Sequence, residues 1–228
     1  MRFIVGLAAA SMALCLGLGT AHADRREAPV TEKSPQSNPP GDRQIRTAEW
    51  LKPDQRFEPT FVQERAVVLV NETPPKKFAG KVGWRFDPSK GVVYAALDFP
   101  ELNLKVHITF EPNTDQSLPA SHTAEVNFIT QPDSPGGGVA GMGNIAMKSK
   151  EDEVGVPPLA GSVVAVTNGI FLIGLTKSMR QGNLELLKNR AWFQIPITFA
   201  TRQRALISFE KGASGNQVLN DAFAKWGD

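Results

Sequence analysis

A chain of 228 residues with 25 Lys and Arg against 23 Asp and Glu, a net charge of +2, has too small an excess to point to nucleic acid or an anionic membrane, both of which call for a basic face. Its one cysteine, Cys15, lies inside an apolar leader, so removal of that leader excludes disulfides, thiolate nucleophiles and cysteine metal sites. The roughly 205 residues beyond the leader are enough for one core held together by burial alone.

Arg2 supplies a positive start, Phe3 to Leu18 is apolar, and Ala21-His22-Ala23 is the small-x-small pattern of a signal-peptidase site. Residues 1–23 therefore read as a signal peptide. The apolar run, about sixteen residues, falls short of the ~20 that a spanning helix needs, so no stable membrane span is expected after cleavage. An uncleaved inner-membrane anchor is the alternative. Leu14 precedes Cys15, where lipidation would want a small residue.

Residues 24–60 read as a largely disordered linker. Pro29, Pro35, Pro39, Pro40 and Pro53 interrupt it, and too little of it is apolar to offset the entropy of ordering it. Arg43 to Lys52 reads as a short helix, and Trp50 within it either docks the tether on the domain or is simply exposed.

From residue 61 onward, short β-branched and aromatic runs punctuated by Pro, Gly, Asn and Asp mark an all-β domain, 61–228. Ala66 to Val70 is continuously apolar, as in a strand buried on both faces or lying deep in a sandwich. Val82, Trp84 and Phe86 alternate with Gly83 and Arg85. Asp87 to Gly91 then supplies turn chemistry, so Val92 to Phe99 returns antiparallel. Leu104 to Glu111 and Thr123 to Thr130 alternate in the same way. Ser162 to Thr167 and Ile170 to Leu175 flank Asn168-Gly169, which predicts a type I′ hairpin. Trp192 to Thr201 and Ala205 to Glu210 form the last pair, turning at Arg202-Gln203. A short helix is expected over Asn183 to Arg190. A second helix is expected with Ser214 as N-cap, Gln217 at N3 and an apolar stripe of Val218, Leu219, Ala222, Phe223 and Trp226 that packs on a sheet.

Chemistry-bearing residues are sparse. His107 and His122 lie on or beside strands, but no carboxylate stands at metal-motif spacing. No metal, cofactor or catalytic residue is assigned. Adjacent strand residues point to opposite faces, so Ser121 and His122 are not expected to pair. An enzyme would need a site assembled from distant strands, such as His107 or His122 with Asp98, Glu111 or Glu125. The stretch Asp133 to Gly143 is glycine-dense but has no Walker pattern and no following helix. It reads as a mobile loop, with Ser134, Gly136, Gly137 and Gly138 as candidate interaction residues. Lys148 to Glu153 reads as a solvated loop. Arg202 and Arg204, with Lys211 nearby, read as a small basic tip and as candidates for ligand contact.

Several segments carry a resemblance: Ser121-His122-Thr123 with Phe128, Gly155-Val156-Pro157-Pro158-Leu159-Ala160-Gly161, Gly169 to Leu175, Asn183 to Lys188, Trp192-Phe193-Gln194-Ile195-Pro196 and Phe209-Glu210-Lys211-Gly212. The stretch from Arg65 to Gly227 resembles an uncharacterised family of exported or membrane-tethered proteins of alphaproteobacteria, rhizobia especially. The likeness implies an envelope protein and carries over no catalytic residue. More loosely, the late order of strand, Leu-rich helix, Ile-Pro strand and terminal helix is similar to the invasion-associated locus B family of small exported β-sandwich proteins, whose usual cysteines are absent here.

The sequence thus predicts an antiparallel β-sandwich of about eight to ten strands with a short helix and a C-terminal amphipathic helix. It is expected to be periplasmic or secreted and to act as a non-enzymatic binding or interaction module for an envelope protein or a small ligand. A host-interaction factor and a hydrolase are the alternatives. Removal of the leader predicts that N-terminal sequencing of the exported protein will begin at Asp24; an intact Met1 would show that the leader is retained.

Overall fold

The computed structural model describes residues 63–228; the expected leader, the linker and Trp50 lie outside them. The strands are β1 (Glu64–Val70), β2 (Lys76–Asp87), β3 (Val92–Phe99), β4 (Leu104–Pro112), β5 (Ala120–Thr130), β6 (Val139–Met142), β7 (Ala146–Lys148), β8 (Gly161–Thr167), β9 (Ile170–Thr176), β10 (Trp192–Phe199) and β11 (Arg204–Glu210). Two α-helices follow late strands, α1 (Arg180–Asn189) and α2 (Gly212–Trp226). The all-β class is as expected. In place of a two-sheet sandwich, however, all eleven strands join one sheet in the order β6-β10-β11-β1-β2-β3-β4-β5-β9-β8, with β7 also on β10.

One sheet suffices because its inward faces all bury against each other. Val68, Trp84, Ile108, Val126, Phe193 and Ile207 are each at most 1% exposed. A twisted sheet brings such a face round on itself and so removes most of its edges. Its two ends meet over a short stretch: Ala146 bridges Pro158, Leu159 N donates to Ile145 O at 2.7 Å, and Asn144 Nδ2 donates to Gly161 O at 3.0 Å. The barrel is nearly closed there. β6 and β7 were hidden in the sequence because they are short and interrupted by Gly141 and Gly143, which blurs the two-residue period.

Local expectations fare unevenly, each for a physical reason. β4 alternates as predicted, with Leu104, Val106, Ile108 and Phe110 buried. In the β2–β3 turn, Asp87 Oδ1 accepts from Ser89 N at 3.0 Å and Lys90 N at 3.2 Å, and Gly91 takes a φ of 67°. The β8–β9 hairpin forms, but only Gly169 has positive φ at its turn. A type I′ turn would need Asn168 there as well; a register shift between Ala165 and Thr167 changes the geometry. In β1, Leu69 is 40% exposed, so this strand is not buried on both faces along its whole length.

The two helices cover the same end of the barrel. α1 follows the end of β9 and α2 the end of β11. α2 starts at Gly212, not after Ser214, and the predicted capping box does not form; Gln217 Nε2 donates to Asp221 Oδ1 at 2.8 Å instead. The cap comes from a distant strand: Glu64 Oε1 accepts from Ser214 N at 3.3 Å and Ser214 Oγ at 3.1 Å. A carboxylate at a helix N-terminus is favoured by the unpaired N–H groups and the helix dipole. Gly212 has φ +56°, and a Cβ there would lie 2.0 Å from the Glu64 carboxyl carbon, so a side chain at this position would strain the backbone and push the Glu64 cap aside.

Beneath α2, Trp84 packs with Phe193 at 5.4 Å and Phe209 at 6.0 Å between ring centroids, and donates from Nε1 to Glu210 O at 3.2 Å. Gly215 lets the helix approach this indole: a Cβ at that position would lie 2.8 Å from Trp84 Nε1. Gly182, in α1, has open space around its missing Cβ. The same substitution should therefore act in opposite directions. Gly182→Ala is expected to stabilise by about 0.5–1 kcal/mol through helix propensity, and Gly215→Ala to destabilise by about 1–3 kcal/mol through overpacking, both read from urea unfolding midpoints.

Candidate functional site

Two places in the fold concentrate features that a function can use. The first is the helix-covered end. There His122, inward-facing near the start of β5, lies with Nε2 2.8 Å from Asp228 Oδ2 and Nδ1 3.2 Å from Ser121 Oγ. Asp228 also contacts Arg180 of α1, and the His122 ring packs at 5.2 Å on Trp226. Trp226 Nε1 in turn donates to Gly91 O at 2.7 Å.

Ser121 and His122 therefore do meet, against the expectation from strand alternation. The pairing register shifts between Ala120 and His122, and such a bulge abolishes the strict opposition of adjacent side chains. The space beside His122, lined by Phe110, Leu184, Leu187, Phe223 and Trp226, is about 10 Å³, room for about one water. The network consequently fastens α2 to the barrel and leaves no volume for a substrate.

Burial, and then the nearby Arg180 charge, push the His122 pKa down to about 4. The approach to Asp228 pulls the other way, but Arg180 already balances that carboxylate. The imidazole is thus neutral at pH 7, in ion-pair range of Asp228 and in contact with Ser121 Oγ, whose hydroxyl donates to Leu175 O at 3.4 Å.

His107 lies elsewhere. It is on the outer face of β4, paired with Asn127, whereas His122 pairs with Pro112. Five residues of strand, about 17 Å, and the sheet itself keep the two histidines apart. Asp98 and Glu125 occupy positions diagonal to His107 on neighbouring strands, and Glu111 sits opposite Thr123, next to His122 in register but on the alternate phase of its strand. Burial, then Lys105, lowers the His107 pKa. Among the described residues no cluster of three or more His, Cys, Asp or Glu could hold a metal.

Lys211 does not belong to a basic tip. β11 separates it from Arg204 by seven residues, about 23 Å. Its ammonium is buried and donates to the carbonyls of Leu187 at 2.7 Å and Lys188 at 3.1 Å, capping the end of α1. That burial lowers its pKa to about 8. Nor is Lys148 to Glu153 simply solvated: Lys148 is buried and donates to Glu151 O, and Glu151 pairs with Arg65 at 3.1 Å.

The second place is the outer wall near the opposite end. Leu69 stands opposite Leu206, and Leu206 opposite Pro196; Gly143 N donates to Pro196 O at 2.8 Å. These outward residues make an apolar row across β1, β11 and β10 to the start of the β6–β7 link. One step along runs a polar row: Asn71, whose N donates to Arg204 O at 2.8 Å, then Arg204, Thr198 and Gly141. With Pro75 and Met142 the two rows line a groove of about 650 Å³. Gly141 and Gly143 give it depth by presenting no side chain.

The predicted interaction residues gather near this end. Ala200 N donates to Gly138 O at 2.9 Å, so the glycine-rich segment and the β10–β11 turn that carries Arg202 touch. The glycine segment is packed in place. Ser134 is buried and donates from Oγ to Leu102 O at 2.8 Å, and the Phe199 ring occupies the space a Gly136 side chain would need. Gly137 and Gly138 adopt positive φ. Arg202 also has positive φ and is exposed; Arg204 alone of these candidates lines the groove. Leu69, Leu206 and Pro196 were overlooked in the sequence. Their signal was an apolar residue in the outward phase, as where Leu206 falls between the inward Ala205 and Ile207.

Comparison of the chain with family models, with curated proteins and with solved structures finds no match. Fold and site define a nearly closed antiparallel barrel, covered by helices at one end and grooved on its outer wall.

The pH dependence of stability tests the helix-end network. With the folded pKa of His122 near 4 and the unfolded value near 6.5, only the unfolded state takes up a proton between them. Stability is therefore full above about pH 6.5 and falls toward pH 4, by up to about 3 kcal/mol from this group. Urea unfolding at several pH values is expected to show this slope, and His122→Gln to flatten it.

Proposed function

We propose that this protein is an exported, non-enzymatic binding module of the cell envelope, and that its ligand surface is the groove on the outer wall. The groove itself carries the reading: Leu69, Leu206 and Pro196 give it an apolar row, and Arg204 lines it beside them. A few hundred cubic ångströms of apolar concavity with a few placed polar groups is what recognition sites commonly offer. The ligand that fits is an extended peptide segment with two neighbouring apolar side chains and a carboxylate, the apolar pair against that row and the carboxylate toward Arg204. The leader pattern at residues 1–23 supports export, and the likeness to exported envelope proteins supports a partner in that compartment.

Selection of binders from a random-peptide library is expected to enrich apolar segments bearing Asp or Glu. Leu206→Asp and Arg204→Glu should each weaken the selected peptides at least tenfold, about 1.4 kcal/mol, in fluorescence anisotropy. Selected peptides that bind Leu206→Asp as well as the unaltered protein would refute the groove as the site.

A further inference from the structure

The segment from Val154 to Thr176 contains no charged side chain, and it supplies the whole β8–β9 hairpin. β9 is paired on both sides, by β5 and β8, whereas among the described residues β8 pairs along its length with β9 alone. The meeting of the two sheet ends stops at the Asn144 contact to Gly161. Among the described residues, one side of β8 is a sheet edge from Ser162 to Thr167, with Val164 58% and Val166 42% exposed.

Exposed edges are normally blunted by shortness, charge, proline or a bulge, because unpaired N–H and C=O groups recruit other strands. β6, at the other end of the sheet, follows that rule: it has four residues, and its pairing shifts register between Thr198 and Phe199. β8 has seven residues, none of them charged and none proline, and its one register shift lies toward the far end.

We propose that β8 pairs antiparallel with β8 of a second copy of this chain, so that the two barrels share a continuous sheet across a twofold axis. A second copy is the occupant that the strand's charge pattern favours. An uncharged strand meets itself without opposing like charges, and the exposed Val164 and Val166 of each copy bury against those of the other. Pairing of like with like is isologous and closes at two subunits, whereas β8 on β6 of another copy would continue without end; the shortness and irregularity of β6 oppose that. One seven-residue edge buries roughly 400 Å² per partner, about half of a standard stable interface, so the dimer is expected to be of micromolar affinity. This assembly is independent of ligand binding in the groove.

Sedimentation equilibrium of the full secreted chain from about 1 µM to about 1 mM is expected to show a monomer–dimer equilibrium. Val164→Lys should raise its dissociation constant at least tenfold, while Leu206→Lys, in the groove, leaves it unchanged. A monomer throughout the range would overturn the proposal. So would a dimer indifferent to Val164→Lys, one lost with Leu206→Lys instead, or open-ended oligomers. Should Val164→Lys fail to fold, by circular dichroism, Val164→Cys gives a second reading, because Cys15 is the only natural cysteine and is expected to leave with the leader. Mild oxidation should link two Val164→Cys chains through that thiol and leave an exposed control, Ser149→Cys, monomeric; equal linkage of both would count against the β8 interface.

Discussion

The contact on which the rest of the barrel depends is the short meeting of its two ends, where Ala146 bridges Pro158 and Leu159 N donates to Ile145 O. A sheet whose strands all bury the same face must either find a second layer or come round on itself. Here it comes round, and the inward residues of eleven strands form one core. Because the meeting is short, it leaves edges beyond it. β6 is left as a brief edge whose glycines shape the outer groove, and β8 as a longer, uncharged one.

At the covered end, packing two helices onto the barrel brings polar groups inward, where they meet partners far away in sequence. Glu64 caps α2, Lys211 caps α1, and Asp228 lies between His122 and Arg180. An unsatisfied buried group costs about 1–3 kcal/mol, so these pairings specify where the helices sit as well as stabilise them. Gly215 against Trp84 sets how closely α2 can lie. The chemistry-bearing residues of this end are thereby committed to architecture, and the groove on the opposite part of the wall is the surface left for recognition.

Strands with a clean two-residue period were legible in the sequence. Leu104 to Glu111 is one, and its buried residues are those its alternation selects. The Asp87 to Gly91 turn was legible too, since its hydrogen bonds are made within five residues. Legibility fails where a partner is remote. Ser214 with Gln217 has the spacing of a capping box, yet Glu64, 150 positions away, takes the role. Ser121 and His122 read as back to back until a bulge against β9 turns them together. Of the groove, only Arg204 stood out in the sequence as a contact candidate, because Leu69 and Leu206 look like core residues unless their phase is known.

The sequence by itself determined the all-β class, most strand positions, the helical C-terminus and the near-even charge balance, because these rest on local period, turn chemistry and composition. Tertiary structure alone decided that the strands make one sheet, where that sheet stops closing, and which apolar residues remain outside it. Those outcomes turn on register and twist summed over eleven strands, and a shift of one residue in any pairing exchanges its inner and outer faces.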